Sequence, residues 1–281
     1  MGFQPLPLLL SLATTAAVES SADTAALQQA CQAARQQGDV AQQELLRDQL
    51  LDGSRRPDSL ASVLASARAL IDCGSPDSAF RVLSRYGPAQ SERRDWLLLR
   101  WEAAAAALDH PRAALALRRL VNGDIQALER EILAGQRNGL DQLAHHEAAS
   151  EEPLAAATVL LQGRAGGRQG AERLGRAAQY LADVDPAQAD QLLEQALEQA
   201  SEAQALGQAV ALLQLQLRLQ LAAGGDGARP RERLMRLTAR LDDRVGRWQL
   251  DGDGAAEALP RSPRDPGGHA AVGEPTTAPS P

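Results

Sequence analysis

Between residues 23 and 249, apolar positions return every three or four residues, and helix start and stop signals bound each run. Asp23 is placed to cap a helix over 24–37 that stops at Gly38, and Asp39 opens the next, which ends at Gly53. Pro57 occupies a first-turn position ahead of 58–72, which closes at Gly74. Further helices are predicted over 76–85, 92–108, 111–121, 124–133, 140–149, 153–162, 171–182, 186–200, 202–223 and 230–248. Pro76, Pro111, Pro153, Pro186 and Pro230 open five of these, as expected of a residue that lacks the amide donor an N-terminus leaves idle. The connections are a few residues long, so successive helices should be antiparallel neighbours.

A second regularity lies on top of the helical one. Ala67, Leu70, Ala79, Leu83 and Tyr86 are repeated 34 residues later by Trp101, Ala104, Ala113, Leu117 and Leu120. Ala177, Tyr180, Ala189, Leu193 and Ala196 match the same spacing, and Leu143, His146, Ala155, Val159 and Gln162 form a degraded copy 34 residues before them. A weaker first copy holds Cys31 and Ala34, with Gln43 where a small residue is expected. The step from Trp101 to Leu143 is 42, so about eight extra residues must be absorbed near 124–136. Small residues let a second helix nest against the first, and the larger anchors fill the groove to the next hairpin.

Over roughly residues 24–200 this spacing resembles the tetratricopeptide-repeat family. The resemblance implies an all-α, right-handed stack of antiparallel helical hairpins, an α-solenoid, spanning 23–249 and closed by a C-terminal capping helix. It also implies a non-enzymatic scaffold that binds another protein or peptide in a concave groove lined by the first helices. By register, Arg35, Arg68, Asp72, Glu102 and Glu147 would face that groove, among Leu98, Leu140, Leu174 and Leu181. The sequence departs from the family in lacking most aromatic anchors. It has no lysine, and so cannot form the Lys/Asn clamp for chaperone C-termini.

Composition agrees with an all-helical chain. Ala, Leu, Gln, Glu and Arg dominate, aromatics are 2%, and all 29 basic residues are arginine. A formal net charge of −7 argues against a nucleic-acid partner. Residues 250–281 are rich in Gly, Pro, Ala and Ser without periodicity and read as a disordered tail. Residues 1–22 form an apolar segment: the run at 6–18 followed by Ser20, Ser21 and Ala22 resembles a secretory signal. No Lys or Arg precedes it, however, and Pro5 and Pro7 interrupt it. Export to the periplasm and a cytoplasmic location both stay open.

Candidate chemistry is sparse. No cofactor is expected and no catalytic constellation is recognisable, which leaves an α-helical enzyme as the less favoured reading. His145 and His146 are adjacent on a helix and project about 100° apart, which disfavours chelation by that pair. The Gly-rich stretch 163–170 lacks the ending of a phosphate loop and reads as a link between helices. Asp251 and Asp253 resemble the start of a calcium loop, but the remaining ligands do not follow. Cys31 and Cys73 are expected to be unbonded small hydrophobes. Cys73 corresponds to Gln37 by register, and six residues of helix rise about 9 Å, beyond the roughly 7 Å Cα limit of a bridge. The sharpest local feature is in 230–248. Arg233, Arg236, Arg240, Arg244 and Arg247 form a basic stripe beside an apolar one of Leu234, Leu237, Leu241, Val245 and Trp248. Arg236, Arg240 and Arg244 are therefore candidates for contact with an acidic partner or an anionic membrane surface.

Overall fold

Capping side chains and N-terminal prolines set where the helices begin. The computed structural model describes residues 11–54, 59–135 and 137–251. The first six helices are α1 (Ser11–Gln37), α2 (Val40–Gly53), α3 (Leu60–Asp72), α4 (Pro76–Ser84), α5 (Arg93–Ala106) and α6 (His110–Leu120). After them come α7 (Gly139–Ala149), α8 (Pro153–Leu161), α9 (Gly167–Leu181), α10 (Pro186–Glu202), α11 (Leu206–Ala222), α12 (Ala228–Arg240) and α13 (Arg244–Asp251). Carboxylates of Asp39, Asp109 and Asp185 accept the backbone N–H of Gln42, Arg112 and Gln188 at 3.0, 3.1 and 2.9 Å. These bonds satisfy donors that the first helical turn leaves unmade.

The chain divides into two compact units, Met1–Ala203 and Gln204–Pro281. In the first, helices pack against their sequential neighbours in hairpin-like pairs: α3 with α4, α5 with α6, α7 with α8, and α9 with α10. The odd-numbered helices α1, α3 and α5 also lie side by side. Most of the predicted anchors lie in the core, whereas Tyr86, Leu120, Ala155, Gln162 and Tyr180 are half-buried. Ala67, Leu70, Ala79, Leu83, Ala113, Leu117, Leu143, Ala177, Leu193 and Ala196 are all buried. Burying each leucine side chain is worth about 1.5–3 kcal/mol. In the second unit, α11 packs on α12 and α12 on α13.

Four expectations are corrected. Residues 124–133 are not an α-helix. They form a 3₁₀ turn (Ile125–Glu129) and the start of a small antiparallel ribbon, β1 (Ile132–Leu133) with β2 (Arg137–Asn138). Left-handed backbone at Asn122, Gly123 and Gly135 breaks the helical path there. This is the segment in which the eight extra residues were expected. Asp23 does not start a helix, because α1 already begins at Ser11; residues 1–10 and 252–281, with most of the expected tail, lie outside the described set. The 230–248 helix is broken: Asp242 has φ 50°, and Asp243 accepts the N–H of Gly246 at 2.9 Å to open α13. The two stripes are thereby split. Leu234 is buried, Leu241 and Val245 are exposed, and the side chain of Trp248 lies outside the described set.

The fourth correction concerns the cysteines, which are joined. Cys31 in α1 and Cys73 at the end of α3 form a disulfide, with Cα atoms 5.3 Å apart. The two helices are staggered, not in lateral register. Gln28 donates to the Asp72 carboxylate at 2.5 Å and Arg35 to the Asp72 backbone oxygen at 3.1 Å. The stretch 28–35 of α1 thus lies on the C-terminal end of α3, which removes the separation expected from register alone.

Candidate functional site

The groove-facing residues expected from the repeat register are engaged with one another or with neighbouring helices. Arg68 of α3 pairs with Glu102 of α5, 34 residues further along the chain. Glu147 of α7 receives Nε and Nη2 of Arg118 at 2.8 and 2.6 Å. Arg35 and Asp72 tie α1 to α3 as described above. Leu140 and Leu181 are buried in the core, whereas Leu98 and Leu174 are half-buried. These charges link successive hairpins, and little of their charge is left over for a ligand. Arg236, Arg240 and Arg244 are exposed in the second unit; Arg236 stands 3.8 Å from Glu232.

A different set of arginines surrounds a cleft in the first unit. About 530 Å³ in volume, it opens where the loop before α5 meets the C-terminal end of α6. Gly87, Pro88, Trp96 and Leu97 supply its apolar wall, and Arg93, Arg118 and Arg119 its basic rim. Asn122 (φ 51°) and Gly123 (φ 87°) turn the chain away from α6 and complete the mouth. Trp96 is half-buried and held by its indole N–H, which donates to the Leu83 backbone oxygen at 2.9 Å. Arg118 is committed to Glu147. Arg93 and Arg119 are exposed, and neither is in an ion pair among the described residues.

Beside this cleft α4, α5 and α6 carry an arginine–aromatic face. The Arg100 guanidinium lies 4.2 Å from the Phe80 ring centroid and 4.5 Å from that of Trp96; Arg112 is 5.0 Å from Phe80. Burial, and then the positive charges of Arg119 and Arg112, lower the pKa of Arg100 from its ordinary value. Stacking on the two rings offsets part of that penalty. The result is a local excess of positive charge on a chain whose net charge is −7.

Two further clusters bring together residues far apart in the sequence, one of them adding His110 to the His145–His146 pair. Arg173 of α9 is buried and holds three acceptors. It pairs with Glu129, its Nε reaches Asp141 at 3.3 Å, and its Nη2 reaches the Asn138 side-chain oxygen at 3.3 Å. Glu129 also accepts the backbone N–H of Arg164 and Ala165, both at 2.9 Å, so the Gly-rich link binds a carboxylate of its own chain. Desolvation pushes the Glu129 pKa up, but the Arg164 amide, the Arg173 guanidinium and the Ala165 amide outweigh it, and the net shift is downward. A Cβ at Gly163 would stand 2.7 Å from Arg173 Nη1 and 2.9 Å from Leu140, so a side chain here would press on this network.

The second cluster is built from histidines. Trp101 of α5 donates its indole N–H to His146 Nε2 at 3.0 Å, and His146 Nδ1 lies 3.1 Å from His110 Nδ1 at the start of α6. His146 is buried on the inner side of α7 with Leu143 and Ala144. Because the indole only donates, His146 Nε2 carries a lone pair. The neutral ring therefore holds its proton on Nδ1 and donates it to His110. The exposed ring of His145 stands 5.7 Å from that of His110 and 5.4 Å from that of His146, centroid to centroid.

Compared with protein-family models and with curated proteins, the chain matches none.

Proposed function

We propose that this protein is a non-enzymatic adaptor whose hairpins form a tetratricopeptide-like stack and which binds an acidic segment of another polypeptide. The observation that carries this reading is the cleft at α5 and α6. Arg93 and Arg119 on its rim are in no ion pair among the described residues, while Trp96 and Leu97 offer apolar surface beneath them. A carboxylate flanked by an apolar side chain matches both surfaces at once, and a planar guanidinium binds it in bidentate fashion. The stack reading draws support from the buried anchors and from the Arg68–Glu102 pair one repeat apart. The Cys31–Cys73 disulfide favours work in an oxidising compartment.

The test is fluorescence anisotropy with labelled peptides of alternating Glu and Leu, set against peptides of alternating Arg and Leu. The acidic peptide should bind, and more tightly at low salt. Arg93→Gln with Arg119→Gln should weaken it about tenfold or more, the scale of two lost charge-assisted contacts. Equal binding of both peptides, or an unaffected double variant, would remove the cleft from consideration. A second reading rests on the exposure of Arg236 and Arg240 on α12: contact with an anionic surface. Co-sedimentation with phosphatidylserine vesicles that Arg236→Gln and Arg240→Gln abolish would support that reading instead.

A further inference from the structure

We propose that His110, His145 and His146 form a binding site for a first-row divalent transition-metal ion, with zinc the best-matched species. This site is independent of the arginine-rimmed cleft. One ring nitrogen from each histidine lies within 4.8 Å of the others. The His110–His146 nitrogen separation of 3.1 Å is already near that of two ligands on one tetrahedral zinc. With Zn–N bonds of about 2.0–2.1 Å, that edge is about 3.3 Å. His145 is the ligand that must move, and it is the exposed one, on the solvent side of the cluster.

Adjacent histidines on one helix diverge, which is why His145 and His146 alone make a poor chelate. The fold resolves this by bringing His110 from the start of α6 against both rings. Three imidazoles without a carboxylate in the group select zinc, copper or nickel over magnesium, calcium or manganese. Three protein ligands also leave a coordination position for water, on the side where His145 meets solvent.

Loading the site has a proton consequence at Trp101. The ion takes the lone pair of His146 Nδ1, so the proton shared with His110 Nδ1 leaves that position. The ring stays neutral by carrying a proton on Nε2 instead. Nε2 then becomes a donor facing the indole N–H, and the Trp101–His146 hydrogen bond must open. Zinc has a filled d shell and no redox chemistry of its own, so a change in indole emission on adding zinc reports this rearrangement and not quenching by the metal.

The experiment is a calorimetric and fluorescence titration of the full chain with zinc chloride, after chelator treatment and without reductant, so that no thiols compete. Wild type should bind one ion per chain, change its tryptophan emission and unfold at a higher temperature with zinc present. His145→Ala and His110→Ala should each weaken binding about tenfold or more and abolish the emission change. His145 is exposed, so its variant should keep the apo melting temperature of wild type; that comparison separates loss of a ligand from loss of fold. His269→Ala should leave the titration unchanged. Absence of binding at roughly a hundredfold excess of zinc, or binding that survives both the His145 and His110 variants, overturns the proposal. So does binding that only His269→Ala removes.

Discussion

Arg173 and Arg100 belong to the same fold unit, and each projects from a first helix of a hairpin, yet their surroundings are opposite. Arg173 is buried with Glu129, Asp141 and the Asn138 amide converging on it, so its charge is matched inside the protein. Arg100 is covered by aromatic rings and faces Arg112 and Arg119, so its charge is shielded but not cancelled. The first arrangement ties the 3₁₀ turn and ribbon to α7 and α9. The second gathers Arg100, Arg112 and Arg119 into a local excess of positive charge. The two arginines thus differ in what compensates the charge: carboxylates for Arg173, aromatic faces for Arg100.

The sharpest way to break this contrast is to delete each guanidinium. Arg173→Ala leaves Glu129 and Asp141 partly buried without their cation and should cost about 3–5 kcal/mol, read by urea denaturation. Combining Arg173→Met with Glu129→Gln and Asp141→Asn should recover much of that loss, since no unpaired charge then remains. Failure to recover would mean that the network contributes attraction beyond self-compensation.

A covalent joint in the same unit gives a reference for scale. Cys31→Ser opens a cross-link over a sequence separation of 42 residues. Loop-closure entropy for such a span amounts to about 4 kcal/mol, and about 2–4 kcal/mol should be observed in chemical denaturation. Wild type unfolded without reductant should show no free thiol; two titratable thiols would contradict the bridge.

Acid should reveal the Arg173 side of the comparison alone. The folded pKa of Glu129 lies below its ordinary value. Its contribution is therefore fully present above the unfolded carboxylate pKa and is lost as pH falls through the folded one. Stability measured from neutral pH downward should fall in that window, and Glu129→Gln should flatten the fall. The effect should be smaller than that of Arg173→Ala, because Asp141 and Asn138 still hold the guanidinium.

On the other side, Arg100→Ala should cost only about 0.5–2 kcal/mol, the range for cation–π contacts from exposed to desolvated. A loss as large as that of Arg173→Ala would mean that the aromatic face is also structural. Smallest of all, Arg93→Gln and Arg119→Gln should shift stability by no more than about 0.5 kcal/mol, while weakening acidic-peptide binding. If they destabilise the fold instead, the cleft is a packing element.

Much of the architecture is legible in the sequence because it depends on neighbours along the chain. Asp39, Asp109 and Asp185 cap donors three residues away, and Pro76, Pro153 and Pro186 start helices through their own fixed φ. Leu70, Ala79, Ala113 and Leu117, singled out by their 34-residue spacing, are buried, and the non-helical turn and ribbon fall where that spacing breaks. Such features are written within one or two helical turns, or in a repeat that can be counted.

The candidate sites are different, because their members come from separate helices. Glu129 meets Arg173 across 44 residues, Trp101 meets His146 across 45, and Cys31 meets Cys73 across 42. Whether such residues touch depends on the stagger and crossing of packed helices, and a shift of one turn, about 5.4 Å, is enough to separate them. That stagger is fixed jointly by many buried side chains, none of which specifies it alone. The helices and their pairing are therefore properties of the sequence read locally. The disulfide, the buried Arg173 network and the three-histidine cluster exist only once the hairpins have packed.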